Sequence, residues 1–162
     1  MKSLVNFIQE GLKLGSSKIK SEEYTEHPKI KDELRDILIE RLPDDPNADL
    51  NDIDVSAITD MSYLFAGLDP HNIKIDRWDV SNVINMTSMF NGRKNFNADI
   101  SGWDVKNVTY MNYMFDGCKK FDQDLSSWQL PNITYNTRYL KAFANTPIEN
   151  KPEKQPYTPN LR

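Results

Sequence analysis

Hydrophobic positions recur along this chain with a spacing of 25 residues. Three segments align without gaps: DVSAITDMSYLF from Asp54, DVSNVINMTSMF from Asp79 and DVKNVTYMNYMF from Asp104. The same spacing relates several sets of large apolar residues. They are Trp78, Trp103 and Trp128; Met61, Met86 and Met111; Phe65, Phe90 and Phe115; Ile75, Ile100 and Leu125; and Phe96 and Phe121. A fixed period of this length indicates a repeat protein whose units stack on one another.

Each repeat combines two shorter hydrophobic patterns. Within residues 108–115 the apolar positions are spaced i, i+3, i+6 and i+7, which is typical of one helical face. Within residues 124–128 the apolar Leu125 and Trp128 flank short polar residues, which suits a brief strand and a turn. Ser56 and Ser81 precede the helical pattern and are candidate helix caps. The fold class we expect is an α/β solenoid, short and right-handed, with a small parallel sheet opposite short helices.

Residues 96–115 carry the pattern F-N-x-D-I-S-x-W-D-V-x-N-V-T-x-M-x-x-M-F. This pattern resembles the BspA-like leucine-rich repeats of bacterial surface proteins and lipoproteins, over about residues 48–140. The resemblance implies a leucine-rich-repeat-like solenoid that binds proteins or host surfaces and has no catalytic role. The chain has few repeats and no export signal, so we expect a protein-binding module, with a bacterial surface adhesin as the alternative.

The repeats and their flanks divide the chain into five parts. In chain order we expect an amphipathic leader helix 1–13, a linker 14–28, an N-terminal cap helix 29–47, the solenoid 48–144 and a Pro-rich tail 145–162. The cap helix has one apolar face and would cover the first repeat, as the open end of a solenoid requires. A partner-binding helix is the alternative. At the other end, Ile133 and Leu140 keep the repeat phase while the residues around them do not.

The leader has an apolar stripe at helical spacing, formed by Leu4, Phe7, Ile8 and Leu12. It is too short and too polar for a secretion signal. It resembles the capsid-targeting leader of internal head proteins in tailed phages, in which a protease cuts after an Ile-x-Glu motif. Here the motif is Ile8-Gln9-Glu10, and the cut would fall between Glu10 and Gly11. The resemblance implies packaging in a virion and delivery to the host to block a defence protein; a plain docking helix is the alternative.

Composition excludes several partner classes. The net charge is −4, and the basic residues do not form the cluster that nucleic-acid binding requires. No apolar run approaches the roughly 20 residues that span a bilayer. We therefore expect a monomer without nucleic-acid or membrane partners, cytoplasmic at synthesis.

The sequence offers no catalytic, metal or cofactor site. The one cysteine, Cys118, has no neighbouring histidine and is expected to be a small core residue. The two histidines, His27 and His71, do not match zinc-ligand spacing. We therefore expect a protein that is not an enzyme and that needs no cofactor.

One set of polar residues is a candidate partner-binding surface. If Ile75, Ile100 and Leu125 point into the core, their neighbours in sequence point outwards. These neighbours are Asp49, Asn51, Lys74, Asp76, Asp99, Ser101, Asp124 and Ser126. A mostly acidic ladder of this kind suits a basic protein partner. The alternatives are carboxylates that brace the turns and, with less support, a calcium site.

Overall fold

The computed structural model describes residues 24–133 and 141–157. Within these ranges the helices are an α-helix, α1 (Lys31–Arg41), and a short 3-10 helix, η1 (Pro152–Lys154). The rest of the described chain forms 25-residue coils that stack on one another. The predicted leader helix and most of the predicted linker lie in residues 1–23, outside the described residues.

The predicted α/β solenoid with a small parallel sheet is wrong. The described ranges contain no β-strand, and the β-pairing between neighbouring coils consists of isolated parallel bridges, such as Asp60 with Asn85 and Asn85 with Tyr110. The helix predicted in each described repeat is also absent, because the segments that should form it are turns. These segments are residues 62–67, 87–92 and 112–117. Ser56 and Ser81 therefore cap no helix.

The directions of the backbone N–H groups explain why no helix forms. The N–H of Ser88 donates to the carbonyl of Asn112 in the next coil at 2.8 Å, whereas the N–H of Met89 donates to Met86 at 3.2 Å. In an α-helix both groups would bond to the carbonyl four residues back. Ser88 also has a φ of +54°, in the left-handed region that interrupts a right-handed helix. The same conformation recurs one coil before and one coil after, at Tyr63 and Tyr113.

The apolar residues that share a repeat position form the core, as predicted. The ring of Trp103 lies 6.4 Å from the rings of Trp78 and Trp128, with an angle of 6° between the planes in both pairs. The indole N–H of Trp103 donates to the carbonyl of Ile75 in the preceding coil at 2.9 Å. The other buried ladders include Met61, Met86 and Met111; Phe65, Phe90 and Phe115; Ile75, Ile100 and Leu125; and Phe96 and Phe121. Each coil therefore buries its apolar side chains against its neighbours.

Helix α1 covers the N-terminal end of the stack. Leu34 and Leu38 are fully buried against the first coil. The guanidinium of Arg35 donates to the carbonyl oxygens of Leu64 and Ala66, at 2.6 and 2.5 Å. In the described stack no coil precedes this one, so Arg35 supplies hydrogen bonds that another coil would otherwise provide.

The segment 141–157 covers the C-terminal end. The ring of Phe143 stacks on Phe115, with centroids 5.6 Å apart. The ammonium groups of Lys151 and Lys154 donate to a carboxylate oxygen of Asp122 at 2.8 and 3.0 Å. The described part of the predicted Pro-rich tail is therefore packed on the last coil.

The register of the repeat changes by three residues before this segment. The sequence analysis assigned Leu140 to the position that follows Phe115 by 25 residues. In the structure Phe143, 28 residues after Phe115, stacks in that position. Likewise Asn145, with a φ of +58°, stands 28 residues after Gly117, which has a φ of +78°. The last repeat is therefore longer than the others, and Leu140 itself lies outside the described residues.

Candidate functional site: an acidic edge beside a groove

Exposed carboxylates recur along one edge of the stack, which we call the acidic edge. Three of them share one repeat position, four residues before that of Trp103 and Trp128, and the fourth stands two residues before Trp78. The carboxylates are Asp49, Asp76, Asp99 and Asp124. Because the coils stack in register, residues far apart in sequence become neighbours on this edge.

Tight turns hold the carboxylates in place. Oδ1 of Asp99 accepts the backbone N–H of Ser101 at 3.0 Å and its hydroxyl at 2.7 Å. Asp124 accepts the N–H of Ser126 in the same way at 3.0 Å, and Asp49 accepts the N–H of Asn51 at 3.1 Å. Asp side chains commonly close turns through such bonds. The turn-bracing role that the sequence left open is therefore present.

Turn bracing favours the charged form of Asp99 and Asp124. The hydroxyl and the N–H of Ser101 lower the pKa of Asp99, and Ser126 lowers the pKa of Asp124 by the same two bonds. A hydrogen bond to the charged form of a carboxyl group favours that form. Bracing and docking are therefore compatible, because the same bonds orient the carboxylate and keep it ionised.

Two of the other predicted residues, Asn51 and Lys74, have different roles. Asn51 is only 4% exposed, and its side-chain amide donates to Asp76 at 2.9 Å while its oxygen accepts the N–H of Arg77 at 2.9 Å. Asn51 therefore orients Asp76 from below the surface and is not itself a contact surface. The ammonium of Lys74 lies 3.3 Å from the carboxylate of Asp49 and offsets its charge.

A second acidic row, which the sequence analysis did not single out, lies five residues further along each coil. It consists of Asp54, Asp79 and Asp104, whose carboxylates each accept the backbone N–H two residues later, at 3.1 to 3.2 Å. Hydrogen bonds from the hydroxyl of Ser56 lower the pKa of Asp54 further, although partial burial opposes them. This row could have been found from the sequence, because its members are the first residues of the repeated DVS, DVS and DVK motifs.

A groove of about 580 Å³ begins beside the second acidic row. One position contributes a residue from each of three coils, namely Thr59, Ile84 and Thr109. Asn82 and Asn107 also line the groove, and their side-chain amides donate to backbone carbonyls of the preceding coil at 2.9 and 2.8 Å. The groove therefore carries no charged side chain and is held by bonds between coils.

The described residues contain no group of three or more His, Cys, Asp or Glu side chains that could hold a metal ion. Cys118 is buried, and its Sγ lies 3.0 Å from the carbonyl of Phe90. Burial raises the pKa of this thiol to about 12, so that it is protonated at neutral pH. In the part of the chain that is described, no helix has the length and apolarity to span a membrane. The predicted cleavage site at Glu10 and Gly11 lies outside the described residues.

Comparison with known proteins gives one family match. The family model described as "Mycoplasma protein of unknown function, DUF285" matches residues 39–151, which include the described coils but only the last three residues of α1. No curated protein and no solved structure matches the chain.

Proposed function

We propose that this chain, which belongs to the DUF285 family of Mycoplasma proteins of unknown function, is a non-enzymatic protein-binding module that acts through its acidic edge. The observation that carries the proposal is the row of exposed carboxylates, of which Asp99 and Asp124 are held by turn hydrogen bonds that favour their ionised form. The resemblance of the repeats to BspA-like proteins, which bind other proteins, supports the same function. The partner surface that fits this edge is basic.

Fixed carboxylates favour binding for two physical reasons. A side chain already held by its own turn loses little conformational freedom when a partner arrives, so less ordering entropy opposes association. A row of like charges also speeds the encounter with an oppositely charged surface and sets its orientation. Both effects act on charges at the surface, which salt screens. We therefore expect association to weaken as the salt concentration rises.

The test removes charge without removing the turns. Asp76, Asp99 and Asp124 are changed together to Asn, which retains an oxygen that can accept the turn hydrogen bonds. The matched control removes three exposed charges from α1 through Asp32→Asn, Asp36→Asn and Glu40→Gln. Proteins captured from host lysate by the unmodified chain are compared by mass spectrometry with those captured by each variant. We expect the control to retain the partner and the edge variant to lose it.

Equal capture by the edge variant and the control would refute a role for the acidic edge. The melting temperature of each variant, measured in parallel, separates this result from a loss of folding. If the edge variant retains the partner at all salt concentrations, the partner binds a surface other than the acidic edge.

We further propose that the chain is delivered in a phage particle after its leader is removed. The support is the resemblance of residues 1–11 to capsid-targeting leaders, including the Ile8-Gln9-Glu10 motif. Mass spectrometry of mature particles should find the chain with a new N-terminus at Gly11. Absence from the particles, or a mature chain that begins at Met1, would refute delivery. A chain found on a bacterial surface by cell fractionation would favour the adhesin alternative.

A further inference from the structure

We propose that Asn91-Gly92 is a deamidation site that the contact between two coils keeps latent. An asparagine side chain cyclises onto the following backbone nitrogen most readily when glycine follows, because glycine has no Cβ to obstruct the approach. Asn91 and Gly92 are the one Asn-Gly pair of the sequence, and both are exposed at the end of the turn 87–92. This modification of the chain does not depend on the acidic edge or on a partner for it.

The reaction needs only the chain and water. The nitrogen of Gly92 gives its proton to water and attacks Cγ of Asn91, and the side-chain nitrogen takes up a proton and leaves as ammonia. Water then opens the resulting succinimide ring. Opening at Cγ gives aspartate, whereas opening at the main-chain carbonyl gives isoaspartate, whose main chain runs through Cγ and is longer by one methylene. Either product carries a carboxylate where the amide was.

The nitrogen that must attack is held by the next coil. The N–H of Gly92 donates to the carbonyl of Asp116 at 2.7 Å, and cyclisation requires this bond to break because the nitrogen must give up its proton. The backbone of Asn91 is also held, since its N–H donates to Ser88 at 3.2 Å and its carbonyl accepts the Nε–H of Arg93 at 3.0 Å. Deamidation therefore requires the two coils to part locally.

The first coil offers the same turn without this bond. Gly67 occupies the repeat position of Gly92 and has a similar backbone, with a φ of +80° against +72°. Its N–H donates to none of the described residues. Ala66, which precedes it, is exposed, and its carbonyl accepts a guanidinium hydrogen bond from Arg35, as the carbonyl of Asn91 does from its own neighbour. The two positions thus differ in the hydrogen bond of the glycine nitrogen.

Deamidation would record an opening of the stack irreversibly. Isoaspartate lengthens the main chain immediately before Gly92, so that its N–H no longer meets the carbonyl of Asp116 in the same register. Either product also places a carboxylate at position 91, one repeat before the carboxylate of Asp116. Like charges at neighbouring positions repel each other. The contact between the two coils is therefore weaker after the reaction than before it.

Peptide mapping by mass spectrometry on the full-length chain tests the proposal. The unmodified chain is incubated at neutral pH with and without urea at an unfolding concentration, and we expect Asn91 to deamidate at least about tenfold more slowly when folded. The variant Ala66→Asn places a second Asn-Gly pair in the first coil. In the folded variant we expect position 66 to deamidate at least about tenfold faster than Asn91, and both rates come from one sample.

Hydrogen exchange supplies an independent measurement, because the amide of Gly92 exchanges only when the same bond opens. Urea below the unfolding concentration should raise the exchange rate of Gly92 and the deamidation rate of Asn91 in parallel. It should leave the rate at position 66 of the variant almost unchanged.

Three results would overturn the proposal. The first is deamidation of Asn91 that is as fast in the folded chain as in the unfolded chain. The second is equal rates at positions 66 and 91 in a variant that retains the melting temperature of the unmodified chain. The third is faster exchange of Gly92 in dilute urea without faster deamidation of Asn91. The first and third use the unmodified chain, so they decide the matter even if Ala66→Asn does not fold.

Discussion

Replacing Trp103 by Ala should remove a large part of the stability of the stack. Trp103 is 4% exposed and lies between Trp78 and Trp128, with 6.4 Å between ring centroids on each side. Truncation of a buried tryptophan to alanine costs about 3–5 kcal/mol. The substitution also leaves the carbonyl of Ile75 without its indole donor, which adds to the cost. We expect a loss of about 4–5 kcal/mol, against a typical total of roughly 5–15 kcal/mol for a folded domain.

Two further variants separate the contributions to this loss. Trp103→Phe keeps an aromatic ring between Trp78 and Trp128 but has no N–H to donate, so we expect a loss of about 1–2 kcal/mol from the missing hydrogen bond and the smaller ring. Tyr63→Ala removes an aromatic ring that is exposed, and surface substitutions of this kind usually change stability by less than about 0.5 kcal/mol.

Unfolding by guanidinium chloride, followed by far-UV circular dichroism and by the fluorescence of the remaining tryptophans, measures these free energies. The midpoint should fall in the order Tyr63→Ala, Trp103→Phe, Trp103→Ala. A Trp103→Ala variant that loses less than about 1 kcal/mol would show that the tryptophan ladder does not carry the core, and the assigned register of the coils would then be wrong.

Three other predictions follow from the turns and the backbone. Asp99→Ala should cost about 1 kcal/mol in the same unfolding assay, because it removes the bonds to Ser101, whereas Asp99→Asn should cost less because its oxygen accepts the backbone bond. The pKa of Asp99 is lower in the folded chain than in the unfolded chain, where it is about 3.9, so its ionised form stabilises the fold at pH values above about 4. Stability should therefore fall as the pH drops below about 4, and it should fall less steeply in Asp99→Asn. Gly92→Ala should cost about 1–2 kcal/mol because its φ is +72°, while Gly102→Ala, at an uncrowded position without positive φ, should change stability little; equal costs for the two glycines would contradict this reason.

The repeat period and the core were predictable from the sequence because each position of a coil meets the same position of its neighbours. A tryptophan at every 25th residue has a simple consequence in such a stack, which is a column of rings. The same reasoning predicted a cover for the first coil, and α1 lies within the predicted range 29–47. Both features depend on which residues are apolar and on how far apart they are.

The local structure of each coil was not predictable in the same way. Apolar residues spaced by three or four positions are typical of a helix, but a run of tight turns also brings every third residue to the inside. The choice depends on where the N–H of Ser88 and its equivalents find acceptors, and these acceptors lie in the next coil. A stronger local signal was the glycine at one fixed position of the repeat, where a positive φ ends any helix. These residues are Gly67, Gly92 and Gly117.

The candidate site was predicted in part for a similar reason. The exposed carboxylates follow from the alternation of buried and exposed residues, so Asp76, Asp99 and Asp124 could be named. The burial of Asn51 could not be predicted, because its partners Asp76 and Arg77 belong to the next coil. The groove could not be predicted either, since its lining comes from three coils and exists only once they are stacked.

The hydrogen bonds divide the surface into two regions that differ in their tolerance of substitution. On the acidic edge, the bonds of Asp99 and Asp124 close turns within one coil, so a change there disturbs that coil alone. In the groove, Asn82 and Asn107 donate to the preceding coil, so a change there weakens the contact between coils. Charge at Asp99 and Asp124 can therefore vary with little effect on stacking, whereas Asp76 accepts a bond from Asn51 in the preceding coil. The tolerance of substitution at Asp99 and Asp124 is thus compatible with the partner-binding role that we propose for this edge.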